Sequence, residues 1–203
     1  MVLLKETEKT KKVGLETRVD DIGVLQGDTR NLRDQYKGMA NEAVFDDLAE
    51  KRNALEVAIE NVGHDFNVGT IVRSANNFNA RKVHIIGRKK YNRRGAMCTD
   101  KYLEVVYWSD LQGFLADQKR RGQEVVAIEN NTDRVKPLVS KKFVQATTLL
   151  FGSEGDGLTT EALNNADDVR EIESFGSTRS VNVGVAAGIA MYEWARQCVL
   201  EGK

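Results

Sequence analysis

The chain has 203 residues, and its 30 Lys and Arg residues balance its 30 Asp and Glu residues. No global positive field indicates nucleic acid, so any RNA-binding surface must be local. With only Cys98 and Cys198, the chain has neither a disulfide framework nor a cysteine zinc cluster, and we expect a reducing, cytoplasmic compartment. No segment is apolar enough to cross a bilayer, so we expect a soluble protein.

The first quarter of the chain differs in texture from the rest. Residues 1–52 are polar and densely charged in both signs, with little apolar periodicity before Val44, Phe45 and Leu48. We therefore predict two parts: a polar extension over residues 1–52 that ends in a short helix, and a single folded domain over residues 53–203.

Short apolar, β-branched runs follow, separated by stretches with helical spacing. The runs are ALEVAIENV, RKVHIIG, EVVYW, QEVVAIEN and TTLLFG. This alternation predicts an α/β fold with a mostly parallel sheet and helices on both faces. Helices are predicted at residues 68–78, 110–121, 160–166 and 182–197. The last helix carries an apolar stripe that should pack on the sheet or on a partner: Val183, Ala186, Ala187, Ala190, Met191 and Trp194.

Polar residues follow the first predicted strand, in the segment from Asn61 to Gly87. Open α/β sheets place their sites at the carboxyl ends of strands, so Asn61, Asn67 and Arg73 are candidates for ligand contact. The alternative is structural, with Asn67 as a helix cap and Arg73 in a surface ion pair.

A glycine-rich turn lies in TTLLFGSEGDGLTTEAL, between a strand and a helix that Thr159 or Thr160 should cap. Its order, G-x-x-G-x-G, lacks the lysine of a P-loop, and Glu154 and Asp156 would repel a pyrophosphate. The turn is better suited to a neutral or cationic ligand, such as an adenosine that bears a sulfonium. The alternative is a tight turn whose acids favour the dipole of the next helix.

A loop of Gly, Ser and Thr precedes the last helix, in EIESFGSTRSVNVGVAAGIAMYEWARQ. Ser180 or Asn182 could simply cap that helix. The loop could equally supply backbone N–H and C=O groups to the edge of a purine. Periodicity alone does not choose between these interpretations.

Together, the three segments resemble the motifs of the SpoU (TrmH) family, the ribose-methylating branch of the SPOUT methyltransferases. The second segment matches as GSEGDGL, and the third as I-x-x-x-G-x-x-x-S-V-N-V from Ile172 to Val183. The similarity covers about the last three quarters of the chain. The first segment matches as N-x-G-x-x-x-R-x-A-x-x-F, with Asn67, Gly69, Arg73, Ala75 and Phe78.

The resemblance implies transfer of a methyl group from S-adenosylmethionine to a ribose 2′-hydroxyl of RNA, without a metal. The extension over residues 1–52 is too short for the separate RNA-binding domain that some family members carry, which favours tRNA over rRNA. It also implies a homodimer and a C-terminal trefoil knot, which chain connections normally avoid. The implied cofactor-binding residues are Gly152, Ser153, Gly157, Ile172, Ser174, Gly176, Ser180 and Val181. One departure is that Glu173 and Ser174 stand where the family often has Pro and Met, so we expect a more mobile loop or a different hold on the adenine.

By resemblance, Arg73 is the catalytic arginine, and Asn67, Glu154, Ser180 and Asn182 are the further catalytic residues. Because arginine stays protonated, we favour stabilisation of the developing alkoxide and grip on a phosphate over a general-base role. The alternative function is a non-catalytic, knotted RNA-binding protein. A nucleotide-dependent oxidoreductase is disfavoured by the acidic turn.

Cations crowd the loop after the HIIG run, with Tyr91 among them. Cations with an interleaved aromatic side chain can neutralise phosphates and stack a base. The alternative is a solvated charged face. The predicted RNA-binding residues are Arg88, Lys89, Lys90, Arg93, Arg94 and Lys101.

Overall fold

The computed structural model describes residues 18–19, 25–26, 28–60, 65–87, 90–153 and 155–201. The chain divides into two units between Val44 and Phe45. The first unit contains two short antiparallel strands, β1 (Arg18–Val19) and β2 (Leu25–Gln26). The predicted short helix, α1 (Asn41–Glu50), runs across the division between the units. The domain boundary at residues 52 and 53 stays a prediction.

Seven parallel strands form the sheet of the second unit, in the order β5-β4-β3-β8-β6-β9-β7. Five of them coincide with the predicted apolar runs. The two-residue β7 was not predicted, because it is exposed and becomes a strand only by pairing with β9. The strands are β3 (Glu56–Glu60), β4 (Lys82–Ile86), β5 (Glu104–Trp108), β6 (Glu124–Ile128), β7 (Lys136–Pro137), β8 (Thr147–Phe151) and β9 (Asp168–Glu171).

Helices cover both faces of this sheet, which confirms the predicted α/β class. They are α2 (Asp65–Asn77), α3 (Leu111–Arg121), α4 (Thr160–Asn165) and α5 (Val183–Ala195). Alternate strand residues serve the two faces, as the period of two requires. Val57 and Ile59 belong to the core on the side of α2 and α5, whereas Ala58 belongs to the core on the side of α3 and α4.

Side-chain caps explain where three of the helices begin. Asp110 accepts a hydrogen bond from the Gly113 N–H at 2.8 Å, and Thr159 accepts one from the Ala162 N–H at 3.1 Å. Asn182 caps α5 in the same way. The prediction that Thr159 or Thr160 caps α4 is therefore confirmed for Thr159. The interpretation of Asn182 as the cap of α5 also holds, although a cap can have a second role.

The apolar stripe predicted on the last helix packs against the sheet, since Ala187, Ala190, Met191 and Trp194 are buried in the same core as residues of the strands. A second apolar stripe on α5 is exposed. Its members are 38–56% exposed, and they are Val181 at the edge of the helix, Val185, Ile189 and Tyr192. Within the described ranges, no helix combines the length and the apolar character that a membrane span requires.

Candidate functional site

A cavity of about 430 Å³ lies at the carboxyl ends of β6, β8 and β9. This size and position are typical of small-molecule sites in open α/β sheets. The lining combines backbone of the glycine turn with polar side chains and an apolar wall. The apolar wall consists of Ile128, Phe151, Ile172, Val181, Val183 and Ala186.

The glycine turn after β8 is closed on itself. Ser153 and Gly157 exchange two backbone hydrogen bonds, of 3.2 and 3.0 Å. A Cβ atom at Gly152 would lie 2.2 Å from the carbonyl carbon of Gly157, so a side chain at this position would force the turn open. Gly157 itself has φ +70°, which glycine adopts without strain. The sequence requirement for glycine here is therefore steric.

Two carboxylates from the strands that flank β8 hold the residues after this turn. Glu129 Oε2 accepts from the Leu158 N–H at 2.9 Å, and its Oε1 accepts from the Asn130 N–H at 2.8 Å. Glu60 accepts from the Thr159 N–H at 2.9 Å and from the Thr159 hydroxyl at 2.7 Å. Glu129 and Glu60 were not predicted as site residues, because an acidic residue at a strand end forms no recognisable sequence pattern.

A pair of asparagines joins the first predicted segment to the third. The side-chain N–H of Asn182 donates to Asn67 Oδ1 at 3.0 Å, while Asn182 Oδ1 accepts from the Gly184 N–H at 2.9 Å. Because a backbone N–H must donate to an oxygen, the second bond fixes the orientation of the Asn182 amide. Asn67 is buried inside α2, which begins at Asp65, so the alternative that Asn67 caps this helix is wrong.

Arg73 lies further along α2 with an exposed side chain, and it does not line the cavity. Within the described part of the chain, no carboxylate forms an ion pair with it. The helix that carries Arg73 is held to the wall of the cavity through the Asn67–Asn182 bond. The predicted catalytic Glu154 and the candidate Asn61 lie outside the described residues.

Most of the predicted cofactor-binding residues line the cavity: Gly152, Ser153, Gly157, Ile172, Ser180 and Val181. Ser174 and Gly176 do not; the Ser174 hydroxyl instead donates to the Arg179 carbonyl at 3.2 Å, within the loop. The polar lining also includes Asn130 and Arg179, which were not predicted. The Asn130 side chain donates to the Arg179 carbonyl at 2.5 Å and so connects the two loops. The available signal for Asn130 was its place after a predicted strand.

The basic loop after β4 packs against α2. A Cβ atom at Gly69 would lie 2.7 Å from the Ala96 nitrogen, so glycine permits this close approach. Lys90, Arg94 and Lys101 are exposed, whereas Arg88 and Lys89 lie outside the described residues.

Two residues of the basic loop, Arg93 and Tyr91, make contacts with other residues of the chain. Arg93 Nε donates to Asp100 at 2.5 Å, and this hydrogen bond raises the pKa of Arg93. The Tyr91 ring packs partly against the core, and burial raises the pKa of Tyr91 to about 12. Among the described residues, no cluster of three or more His, Cys, Asp or Glu side chains is arranged to bind a metal ion.

Comparison with known proteins identifies relatives for most of the chain. The model of the SpoU rRNA Methylase family matches residues 54–192. The tRNA (guanosine(18)-2'-O)-methyltransferase of Escherichia coli K12 is 28% identical over 153 residues, which cover 74% of this chain and 66% of the relative. An uncharacterized tRNA/rRNA methyltransferase of Mycolicibacterium paratuberculosis is 32% identical over 150 residues, or 71% of this chain and 48% of the relative. The chain thus spans just under two thirds of the first relative and about half of the second.

A solved structure also resembles this fold. The crystal structure of the A. aeolicus TrmH/SpoU tRNA modifying enzyme aligns with a TM-score of 0.70 and 28% identity, covering 80% of this chain and 86% of that chain. The matched family region includes the cavity-lining residues and Arg73.

Proposed function

Since the chain belongs to the SpoU rRNA Methylase family, we propose that it transfers a methyl group from S-adenosylmethionine to a ribose 2′-hydroxyl of RNA. The observation that carries this proposal is the junction of the three motif segments. Two of them line one cavity, and the Asn67–Asn182 bond of 3.0 Å connects them to the helix that carries Arg73. The names of the E. coli and A. aeolicus relatives support tRNA over rRNA as the substrate.

The cavity fits S-adenosylmethionine in its chemistry. Its apolar wall suits an adenine ring, and the carboxylate of Glu129 suits a cationic group. When bound, this cofactor supplies an electrophilic methyl group. The residues that would hold it are Gly152, Ser153, Gly157, Ile172, Ser180 and Val181, which line the cavity.

The protein's own part in the reaction is to position the ribose and to stabilise charge. Holding the hydroxyl in line with the methyl group removes an entropic barrier. As a cation, the guanidinium of Arg73 stabilises the developing negative charge on the ribose oxygen and binds an RNA phosphate. Asn67 and Asn182 hold this helix in register with the cavity.

We propose that Lys90, Arg94 and Lys101 form part of the RNA surface. They are exposed cations on a loop that packs against α2 at Gly69. Contacts of this kind neutralise phosphates and make binding sensitive to salt. Arg93 contributes less, because Asp100 already neutralises it.

A trefoil knot is the topology that we propose for the C-terminal segment. The strand β9 lies between β6 and β7, although β6 and β7 are consecutive in the chain. Residues 129–146 therefore run from one side of β9 to the other and then on to β8. The end of α5 and the helical turn after it are bonded to this segment, since the Trp194 indole N–H donates to the Val144 carbonyl at 3.1 Å and Gln197 accepts from the Phe143 N–H at 2.8 Å.

A homodimer is the assembly that we propose. The exposed stripe of Val185, Ile189 and Tyr192 on α5 is a contiguous apolar surface, of the kind that marks interaction sites. A two-fold contact between two such stripes would cover them and place the cavity entrance near the interface, because Val181 belongs to both.

The experiment that tests the proposed function measures methyl transfer from labelled S-adenosylmethionine into tRNA and, separately, into rRNA. Ribose methylation protects the adjacent bond from alkaline cleavage, so the label should remain in alkali-resistant dinucleotides. Arg73→Ala should lower the rate at least about 100-fold, as expected for the loss of an electrostatic catalytic group. The matched control is Arg81→Ala, which removes an exposed cation at the amino end of β4.

Three results would contradict parts of this proposal. Alkali-sensitive label would move the chemistry to a base. Equal rates for Arg73→Ala and Arg81→Ala would remove Arg73 from catalysis. RNA binding without methyl transfer to either pool would favour the non-catalytic alternative.

A further inference from the structure

The charged side chains that line the cavity affect which adenosine ligands it can select. Among the described lining residues, the charged side chains are Glu129 and Arg179. Glu129 follows β6 and Arg179 lies in the loop before α5, so the two charges come from different walls. We propose that Glu129 makes the cavity select an adenosine ligand with a cationic end over one with an anionic end. This inference rests on the proposed function, because it concerns the same cavity.

The sheet order explains how Glu129 reaches the glycine turn. β3 and β6 flank β8, so residues at the carboxyl ends of these strands lie on either side of the chain that leaves β8. Glu60 holds Thr159 from the side of β3, and Glu129 holds Leu158 from the side of β6. The two carboxylates thus fix consecutive backbone N–H groups, both at 2.9 Å.

These contacts change what the turn can bind. Backbone N–H groups that follow a glycine turn usually hold phosphate in nucleotide sites. Here the N–H groups of Leu158 and Asn130 already donate to Glu129. A ligand phosphate would therefore meet a carboxylate in place of free donors, and like charges at short range repel.

The absence of a side chain at Gly157 leaves room for the Glu129 carboxylate. A Cβ atom at Gly157 would lie 2.3 Å from Glu129 Oε2, so the carboxylate occupies the space that a side chain would need. Glu129 lines the cavity whereas Glu60 does not. The two glutamates make similar backbone contacts, and only Glu129 places its charge beside a ligand.

Three adenosine ligands of different charge separate an electrostatic role of Glu129 from a structural one. S-adenosylmethionine carries a sulfonium, an ammonium and a carboxylate and is a net cation, 5′-methylthioadenosine is neutral, and ADP carries an anionic pyrophosphate. Calorimetry on the full chain should show that Glu129→Gln lowers the affinity for S-adenosylmethionine about tenfold, which is the effect of losing one partly screened ion pair. The affinity for 5′-methylthioadenosine should stay within about twofold, and ADP should bind more tightly than to the wild type, since one repulsive charge is gone.

Two variants calibrate this result. Glu60→Gln alters the same kind of backbone contact outside the cavity, and it should change the three affinities by a common factor. Asp133→Asn removes an exposed carboxylate from the chain segment that follows Glu129, and it should leave all three affinities unchanged. If Glu129→Gln does not fold, the salt dependence of binding to the wild type provides a second measurement. Added salt should lower the affinity for S-adenosylmethionine and leave the affinity for 5′-methylthioadenosine unchanged.

The outcomes distinguish this inference from the proposed function. Equal weakening of all three ligands by Glu129→Gln, or no change in any, would overturn the selectivity role while leaving the cofactor proposal intact. A ratio of the affinities for S-adenosylmethionine and 5′-methylthioadenosine that does not change with salt would also overturn the selectivity role. A wild-type chain that binds none of the three ligands would overturn both proposals.

Discussion

The two ends of β3 carry the same residue in different surroundings. Glu56 begins the strand and Glu60 ends it, both on the sheet face that packs against α3 and α4. Glu56 is fully buried and pairs with the side chains of His84 and Arg121, at 2.8 and 2.6 Å. Glu60 is 6% exposed and bonds instead to the backbone N–H and hydroxyl of Thr159.

The network at the amino end is saturated. Arg121 donates to both oxygens of Glu56, and the Trp108 indole N–H donates to His84 Nδ1 at 2.9 Å. Since Nδ1 accepts, the other ring nitrogen of His84 carries the proton that bonds to Glu56. Such a network stabilises the fold and offers nothing to a ligand. At the carboxyl ends of β3 and β6, the carboxylate oxygens of Glu60 and Glu129 accept hydrogen bonds from the residues that follow the glycine turn. Glutamates there hold the turn that borders the cavity, whereas Glu56 only stabilises the fold.

The largest expected effect is on stability, at the amino end. Glu56→Gln removes the charge that compensates Arg121, and removal of one partner from a buried pair should cost about 3 kcal/mol of unfolding free energy. Urea unfolding measures this change. The control is Glu104→Gln, whose partly exposed ion pair with Lys82 should be worth less than about 1 kcal/mol. A cost for Glu56→Gln as small as that of the control would mean that the network is not saturated.

The pH dependence of stability should report the same network. Burial alone would raise the pKa of Glu56, but the hydrogen bonds from Arg121 and His84 outweigh it and lower the pKa to about 2. A lowered folded-state pKa gives stability that is present above the unfolded value of 4.5 and is lost as the pH falls toward 2. Between pH 7 and pH 3, the wild type should lose about 2 kcal/mol through this group.

The measurement is the difference in unfolding free energy between wild type and Glu56→Gln at several pH values, which cancels the titration of other carboxylates. The difference should shrink as the pH falls. A difference that stays constant down to pH 3 would show that the pKa of Glu56 is not lowered in the folded state.

A smaller loss of stability is expected at the carboxyl end of the strand. Glu60→Gln keeps one acceptor for Thr159 and loses the other, which should cost about 1–2 kcal/mol. The matched change on the partner is Thr159→Val, which removes only the hydroxyl. If both variants weaken the same contact, the double variant should cost less than the sum of the single ones. Additive costs in a urea double-mutant cycle would show that Glu60 and Thr159 are not coupled.

The sequence predicted the elements better than it predicted the site. Apolar runs and caps such as Thr159 are local patterns, so they placed most strands and helices within a few residues. The motif resemblance selected residues that line the cavity, such as Gly152 and Ser180. Glu129 was not predicted because its contact with the glycine turn depends on the strand order, which brings β6 beside β8. No local sequence pattern encodes that order.

The smallest effect on stability, with a large one on activity, is expected at the link between the two helices. Asn182→Asp keeps an oxygen to cap α5 through Gly184, but it replaces the N–H that donates to Asn67 with a second oxygen. Because Asp caps helices as well as Asn does, we expect a loss of less than about 1 kcal/mol. Methyl transfer should fall at least about tenfold, since displacement of α2 would also displace Arg73, the proposed catalytic residue on this helix.

Asn182→Ala separates the two roles, because it loses the cap as well as the link and should cost about 1 kcal/mol more than Asn182→Asp. The control for the added charge is Asn164→Asp, at an exposed position of α4. If the link positions α2, the affinity of Asn182→Asp for S-adenosylmethionine should change less than its rate of methyl transfer, because the role proposed for Arg73 is at the ribose. Equal losses of affinity and rate would instead show that Asn182 acts on cofactor binding alone, and that its bond to Asn67 does not position Arg73 for the reaction.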